Sequence, residues 1–134
     1  MPLTILLGPS SPGECESIAA ALATYARVEY VSKPDAFRRA ALARRYDFIV
    51  LCAEDGEGIP NERLLRFCLA RVPEQRVVSV LPASARLADV DFDASANLSY
   101  YPLPAHALPA DFNHLAEFVN KLAGRRTGTG YPEA

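Results

Sequence analysis

Phe48-Ile49-Val50-Leu51-Cys52-Ala53 is the most apolar run in the chain, and its reading decides the fold. A run this short with no polar position predicts a strand buried on both faces, hence the centre of a parallel sheet. Just before it, Ser32-Lys33-Pro34-Asp35 opens a helix with Phe37, Ala40 and Ala41 inward and Arg38, Arg39, Arg44 and Arg45 outward. Just after it, the polar loop Glu54-Asp55-Gly56-Glu57-Gly58 leads through Pro60-Asn61 to a helix carrying Leu64, Leu65, Cys68 and Leu69.

Further out, the same alternation continues. Val28 to Val31 predicts a second strand, less apolar and so at an edge, and Leu3 to Leu7 predicts a buried first strand. Between them Ser11-Pro12-Gly13-Glu14 starts a helix, with Ser11 as cap, Pro12 at the first position and Glu14 bonding back. Ile18, Leu22, Tyr25 and Ala26 form its buried stripe. Towards the other end, Val77 to Leu81 and Leu98 to Leu103 are strands four and five. Residues 83–97, with Asp89, Asp91 and Asp93 alternating with apolar residues, predict a short helix or an irregular loop. Asp111 is expected to cap a last helix with Leu115, Phe118, Val119 and Leu122 inward, and Gly124 to stop it. The division is thus a domain over 1–124 and a flexible tail or linker start over 125–134.

Strands separated by helix-length segments need right-handed crossovers, which gives an α/β three-layer αβα sandwich. Its five-stranded parallel sheet takes the flavodoxin-like order 2-1-3-4-5. Ligands and partners of such a sheet gather at the strands' carboxyl ends, here the loops after Leu7, Ala53 and Leu81 and the segment after Tyr101.

Of the 134 residues 50% are hydrophobic and 22% charged, which is globular rather than disordered composition. A net charge of −2 argues against a nucleic-acid binder or an anionic-membrane binder. No apolar run approaches the roughly 20 residues of a membrane span. Met1 to Gly8 lacks a basic segment and reads as the first strand, not a signal peptide. Three cysteines without a CxxC pair make neither a disulfide framework nor a zinc signature, so reduced thiols and a cytoplasmic setting are expected.

Val28-Glu29-Tyr30-Val31 through Tyr46-Asp47-Phe48-Ile49-Val50-Leu51-Cys52 resembles the second strand, second helix and third strand of response-regulator receiver domains. The intervals from Gly8 to Cys52 (44), Cys52 to Pro82 (30) and Pro82 to Pro104 (22) are close to those between a receiver's acidic pair, phosphoacceptor, hydroxyl residue and lysine. Asn97-Leu98-Ser99-Tyr100-Tyr101-Pro102-Leu103-Pro104 is similar to the receiver stretch ending in Lys-Pro. Receiver phosphorylation needs two acids to hold Mg²⁺, an aspartate nucleophile, and a Ser/Thr and a Lys on the acyl phosphate. This chain offers Leu7 and Gly8, then Cys52, then Pro82, then Leu103 or Pro104. The resemblance therefore implies a degenerate receiver (a pseudo-receiver), bacterial in type, that is no enzyme and takes no cofactor. It would signal by binding a protein partner or by dimerising through residues 83–124. Tyr100, Tyr101, Leu103 and His106 are candidate partner-binding residues. In receivers an aromatic near the end of the fifth strand switches between buried and exposed, and either tyrosine could take that place, or simply pack with its hydroxyl reaching solvent.

Other constellations compete. Cys15 and Cys52 should face one end of the sheet, either as a redox-sensitive pair or as two small buried residues. Glu14, Glu16, Glu54, Asp55 and Glu57 are a displaced divalent-cation site or ordinary solvated acids. Gly8-Pro9-Ser10-Ser11-Pro12-Gly13-Glu14-Cys15-Glu16 is similar to a flavodoxin phosphate loop, and Ala53-Glu54-Asp55-Gly56-Glu57-Gly58-Ile59-Pro60 resembles a flavin-side loop. That alternative implies FMN, but Pro12 and Cys15 occupy hydroxyl positions, the acids repel phosphate and no aromatic stands ready to stack. Asn61-Glu62 resembles the glutamate helix of TIR-like NAD-cleaving domains, without their loop chemistry. His106 and His114 lack a nucleophile at motif spacing.

Overall fold

Successive strand residues point to opposite sides of a sheet, so a strand without polar positions needs a core on each side. The computed structural model describes residues 3–9, 12–52, 62–71, 75–82, 98–104 and 107–127 and has two such cores. Strands β1 (Leu3–Gly8), β2 (Ala26–Tyr30), β3 (Phe48–Leu51), β4 (Val77–Pro82) and β5 (Leu98–Leu103) pair in parallel in the order β2-β1-β3-β4-β5. The described helices are α1 (Pro12–Leu22), α2 (Pro34–Ala43), α3 (Glu62–Arg71) and α4 (Pro109–Thr127).

Ile5, Leu7, Val50, Val78 and Val80 face α1 and α4, meeting Ile18, Leu22, Leu115 and Val119. Leu6, Ile49, Leu51 and Val77 face α2 and α3, meeting Phe37, Ala41, Leu64 and Cys68. All four β3 side chains are buried, each worth about 1.5–3 kcal/mol of transfer free energy. That places β3 at the centre and leaves β2, where every residue but Ala26 is partly or wholly exposed, at the edge.

Polar clips set the register at the amino ends of the strands. The Asp47 carboxylate accepts from the Thr4 N–H at 2.8 Å and from its hydroxyl at 3.2 Å, while the Asp47 N–H donates to the Thr4 carbonyl at 2.8 Å. The buried Gln75 amide donates to the Tyr46 carbonyl at 2.7 Å and accepts from the Tyr46 N–H at 3.3 Å. These bonds fix β1, β3 and β4 against one another, and so determine which residues arrive together at the far end.

Several boundaries differ from expectation. Helix α1 ends at Leu22, and Ala23 to Tyr25 turn so that Ala26 can pair with Leu3. Tyr25 and Ala26 still reach the core, but from outside the helix. Asp111 does not precede α4; it lies inside its first turn. The helix opens on Pro109, and the Asp111 carboxylate accepts the Leu108 N–H at 2.7 Å, the acidic half of a capping box. Gly124 does not stop α4, which continues to Thr127 and so crosses the expected tail boundary at 125. Its backbone is not left-handed and a β-carbon there would meet nothing, so it behaves as one more helical residue. Ser11, residues 83–97 and residues 128–134 lie outside the described residues.

Candidate functional site at the carboxyl ends of the strands

The register brings Gly8 opposite Leu51, one residue before Cys52, and the Cys52 N–H donates to the Gly8 carbonyl at 3.0 Å. The positions that resemble a receiver's acids and phosphoacceptor are therefore adjacent. Gly8 has φ +137, which only glycine adopts readily. A β-carbon there would collide with the Val31 carbonyl oxygen and lie 3.1 Å from its carbon. The Val31 N–H donates to the Leu7 carbonyl at 2.9 Å, which holds that backbone in place. Position 8 is thus closed to any side chain, not merely lacking an acid.

Cys52 is buried and turned into the core shared with α1, where its sulfur lies 3.0 Å from that of Cys15, one thiol donating to the other. Neither of them is in a disulfide, and nor is Cys68. The sequence reading overlooked a neighbour, Tyr30, the last residue of β2. Burial first, then charge on Cys15, Cys52 and Glu16, pushes the Tyr30 phenol up. Its place at the carboxyl end of a strand beside β1 was the available signal. Cys68 belongs to the opposite core, and burial pushes its thiol up to about 12 against a lowering effect of Arg38.

Further along the rim, Pro82 ends β4 opposite Leu103, and Pro104 follows β5 exposed. The two tyrosines part company: Tyr100 packs with the α2/α3 core and Tyr101 with the α1/α4 core, each half-buried. Tyr101 stacks obliquely on Phe118 of α4, ring centroids 5.0 Å apart, and burial followed by Asp111 and Glu117 pushes its phenol up. Leu103 must be removed from the candidate partner surface. It lies two residues from Tyr101, hence on the same face, and is only 3% exposed in the core. His106 lies outside the described residues, and His114 is exposed on α4.

Arg38 pairs with Asp35 at 3.0 Å and Arg44 with Glu29 at 3.7 Å, so the basic face around α2 is partly neutralised by its own acids. Glu16 is exposed, while Ser10, Ser11 and 53–61, which carry the flavin, TIR-like and most of the cation readings, lie outside the described residues. Among the described residues no three His, Cys, Asp or Glu side chains gather as a metal site, and no helix is long and apolar enough to cross a membrane.

No family model matches the chain, and no curated protein does. Among solved structures it is similar to the receiver domain of the sensor histidine kinase PA1611 from Pseudomonas aeruginosa PAO1, determined with a magnesium ion coordinated in the active site cleft. The match has a TM-score of 0.63 at 20% identity and covers 92% of this chain and 99% of that one. The fold is that of a receiver domain: five parallel strands in flavodoxin-like order with helices on both faces.

Proposed function

We propose that this chain is a pseudo-receiver, a signalling domain that performs no phosphoryl transfer and acts by binding a protein partner or a second copy of itself. The observation that carries the reading is the closure of position 8. A receiver's Mg²⁺ requires carboxylate oxygens at the end of the first strand, and here the backbone admits no side chain there. Cys52 in place of a carboxylate nucleophile, and prolines at 82 and 104, agree with it.

The contact surface is assigned to β5 and α4, with Tyr100 and Tyr101 as its aromatic positions. β5 stands last in the sheet, and Pro102 on it is exposed. Proline on an edge blocks strand addition, so recognition would go through side chains of β5 and the outer face of α4. Incubation with acetyl phosphate and Mg²⁺, followed by intact mass, tests the first half: the mass stays that of the unmodified chain. A phosphoprotein, or acetyl phosphate hydrolysis above background, refutes it.

A further inference from the structure

We propose that Cys15 and Cys52 form a reversible disulfide, made by a small peroxide, that ties the first helix to the carboxyl end of the central strand. Their sulfurs are 3.0 Å apart, about 1 Å beyond the ~2.05 Å of the bond. The residues are separated by 37 positions and belong to different elements, so the contact results from tertiary packing and not from chain proximity. The third cysteine, Cys68, sits in the core on the other side of the sheet.

The chemistry balances with peroxide alone. The thiolate of one cysteine attacks a peroxide oxygen, the O–O bond breaks, and the released hydroxide is protonated to water. This leaves a sulfenic acid. The partner sulfur, already in contact, attacks the sulfenyl sulfur; the S–O bond breaks, a second water departs and the S–S bond forms. Two thiols lose two electrons and the peroxide gains them. A low-molecular-weight thiol such as glutathione reverses the reaction by exchange. Burial shapes the outcome. With Cys15 and Cys52 at 0% and 1% exposure, the oxidant enters by local opening, so the reaction is slower than at a surface thiol. Once a sulfenic acid forms, its partner reaches it before a second peroxide can. The inference stands on the sulfur pair alone, whatever the domain signals.

The test treats the whole chain with millimolar hydrogen peroxide, removes the excess with catalase, then denatures and alkylates with a maleimide. Reduced protein takes three labels, one for each cysteine. Oxidised protein takes a single label, on Cys68, and peptide mapping recovers a linked Cys15–Cys52 pair. The closed loop raises Tm by roughly 10 °C, and dithiothreitol returns it. Cys15→Ser and Cys52→Ser lose both effects, whereas Cys68→Ser keeps both. If either rim variant does not fold, peptide mapping of the Cys68→Ser chain still decides. Three labels after oxidation, a linkage through Cys68, or sulfinic acid at Cys15 or Cys52 overturns the proposal.

Discussion

Replacing Gly8 by alanine adds one methyl group where the backbone forbids it. Two costs combine. A non-glycine residue at φ +137 carries about 1–3 kcal/mol of conformational strain. The new carbon also collides with the Val31 carbonyl oxygen, and overpacking of this kind costs a further ~1–3 kcal/mol. Relaxation is limited, because the obstacle is backbone and not the end of a flexible side chain. Val31 is tied to Leu7, and Gly8 itself to Cys52, by hydrogen bonds of 2.9 and 3.0 Å. Taken together, the loss is about 4 kcal/mol, and with a urea m-value near ~1.5 kcal/mol/M the midpoint falls by about 2–3 M. Gly124→Ala is the internal control with the opposite sign. Gly124 is helical with open space at the β-carbon, so alanine there stabilises by roughly 0.5–1 kcal/mol. Equilibrium urea unfolding followed by circular dichroism reads both variants. An unchanged midpoint for Gly8→Ala would refute the closure of position 8, and with it the principal support for the pseudo-receiver reading.

Cys68 makes stability pH-dependent in the alkaline range. Its thiol is raised from 9.0 to about 12 in the folded chain, so its contribution is complete below pH ~9 and is lost as pH rises towards ~12, where the unfolded chain ionises first. Tyr46, raised from 10.0 to about 12 by burial and then by its hydrogen bond to Glu29, adds a narrower loss between those two values. Urea midpoints measured across this range should decline less steeply in Cys68→Ala, and an identical slope would contradict the assignment. Asp47→Ala removes the acceptor for two Thr4 donors and should cost about 1–3 kcal/mol, with a loss under 0.5 kcal/mol counting against the clip. Cys52→Asp places a carboxyl group in a dry core, where burial favours its neutral form. The substitution should therefore destabilise the chain without creating a phosphoacceptor, and label from acetyl phosphate would disprove that.

The sheet was legible because its signal is repeated. Uniformly apolar β3, half-polar β2 and the helix-length segments between strands each point to the same order, and Phe37, Ala41, Leu64 and Leu115 reach the expected cores. Helix ends were less legible, since Asp111 and Gly124 are residue types that suit several positions. Asp111 serves as cap or as third-position acid according to where Pro109 starts the turn, and Gly124 stops a helix only when its φ is positive. At the rim, sequence identified Gly8, Cys15 and Cys52 but not their geometry. The conformation of Gly8 depends on Val31 packing against it from the far side of β2's end, and the side on which Leu103 lies depends on the register of β5 with β4. Tyr30 was missed because only its place at the carboxyl end of β2 distinguishes it from any other edge-strand tyrosine.

The rim's two features follow from one cause. A receiver keeps its nucleophile in reach of a phosphodonor and a hydrated cation, which requires an open polar cleft between the first and third strands. In this chain Gly8 lets the backbone of Val31 come down onto the end of β1, and Cys52 turns inward to meet Cys15 from α1. Position 8 is thereby closed by backbone, and the side chain at position 52 is committed to the core. Restoring carboxylates one at a time therefore meets a packing barrier before it meets a chemical one. The sulfur pair sits in the same core as Leu115 and Val119 of α4, the core against which Tyr101 of β5 also packs.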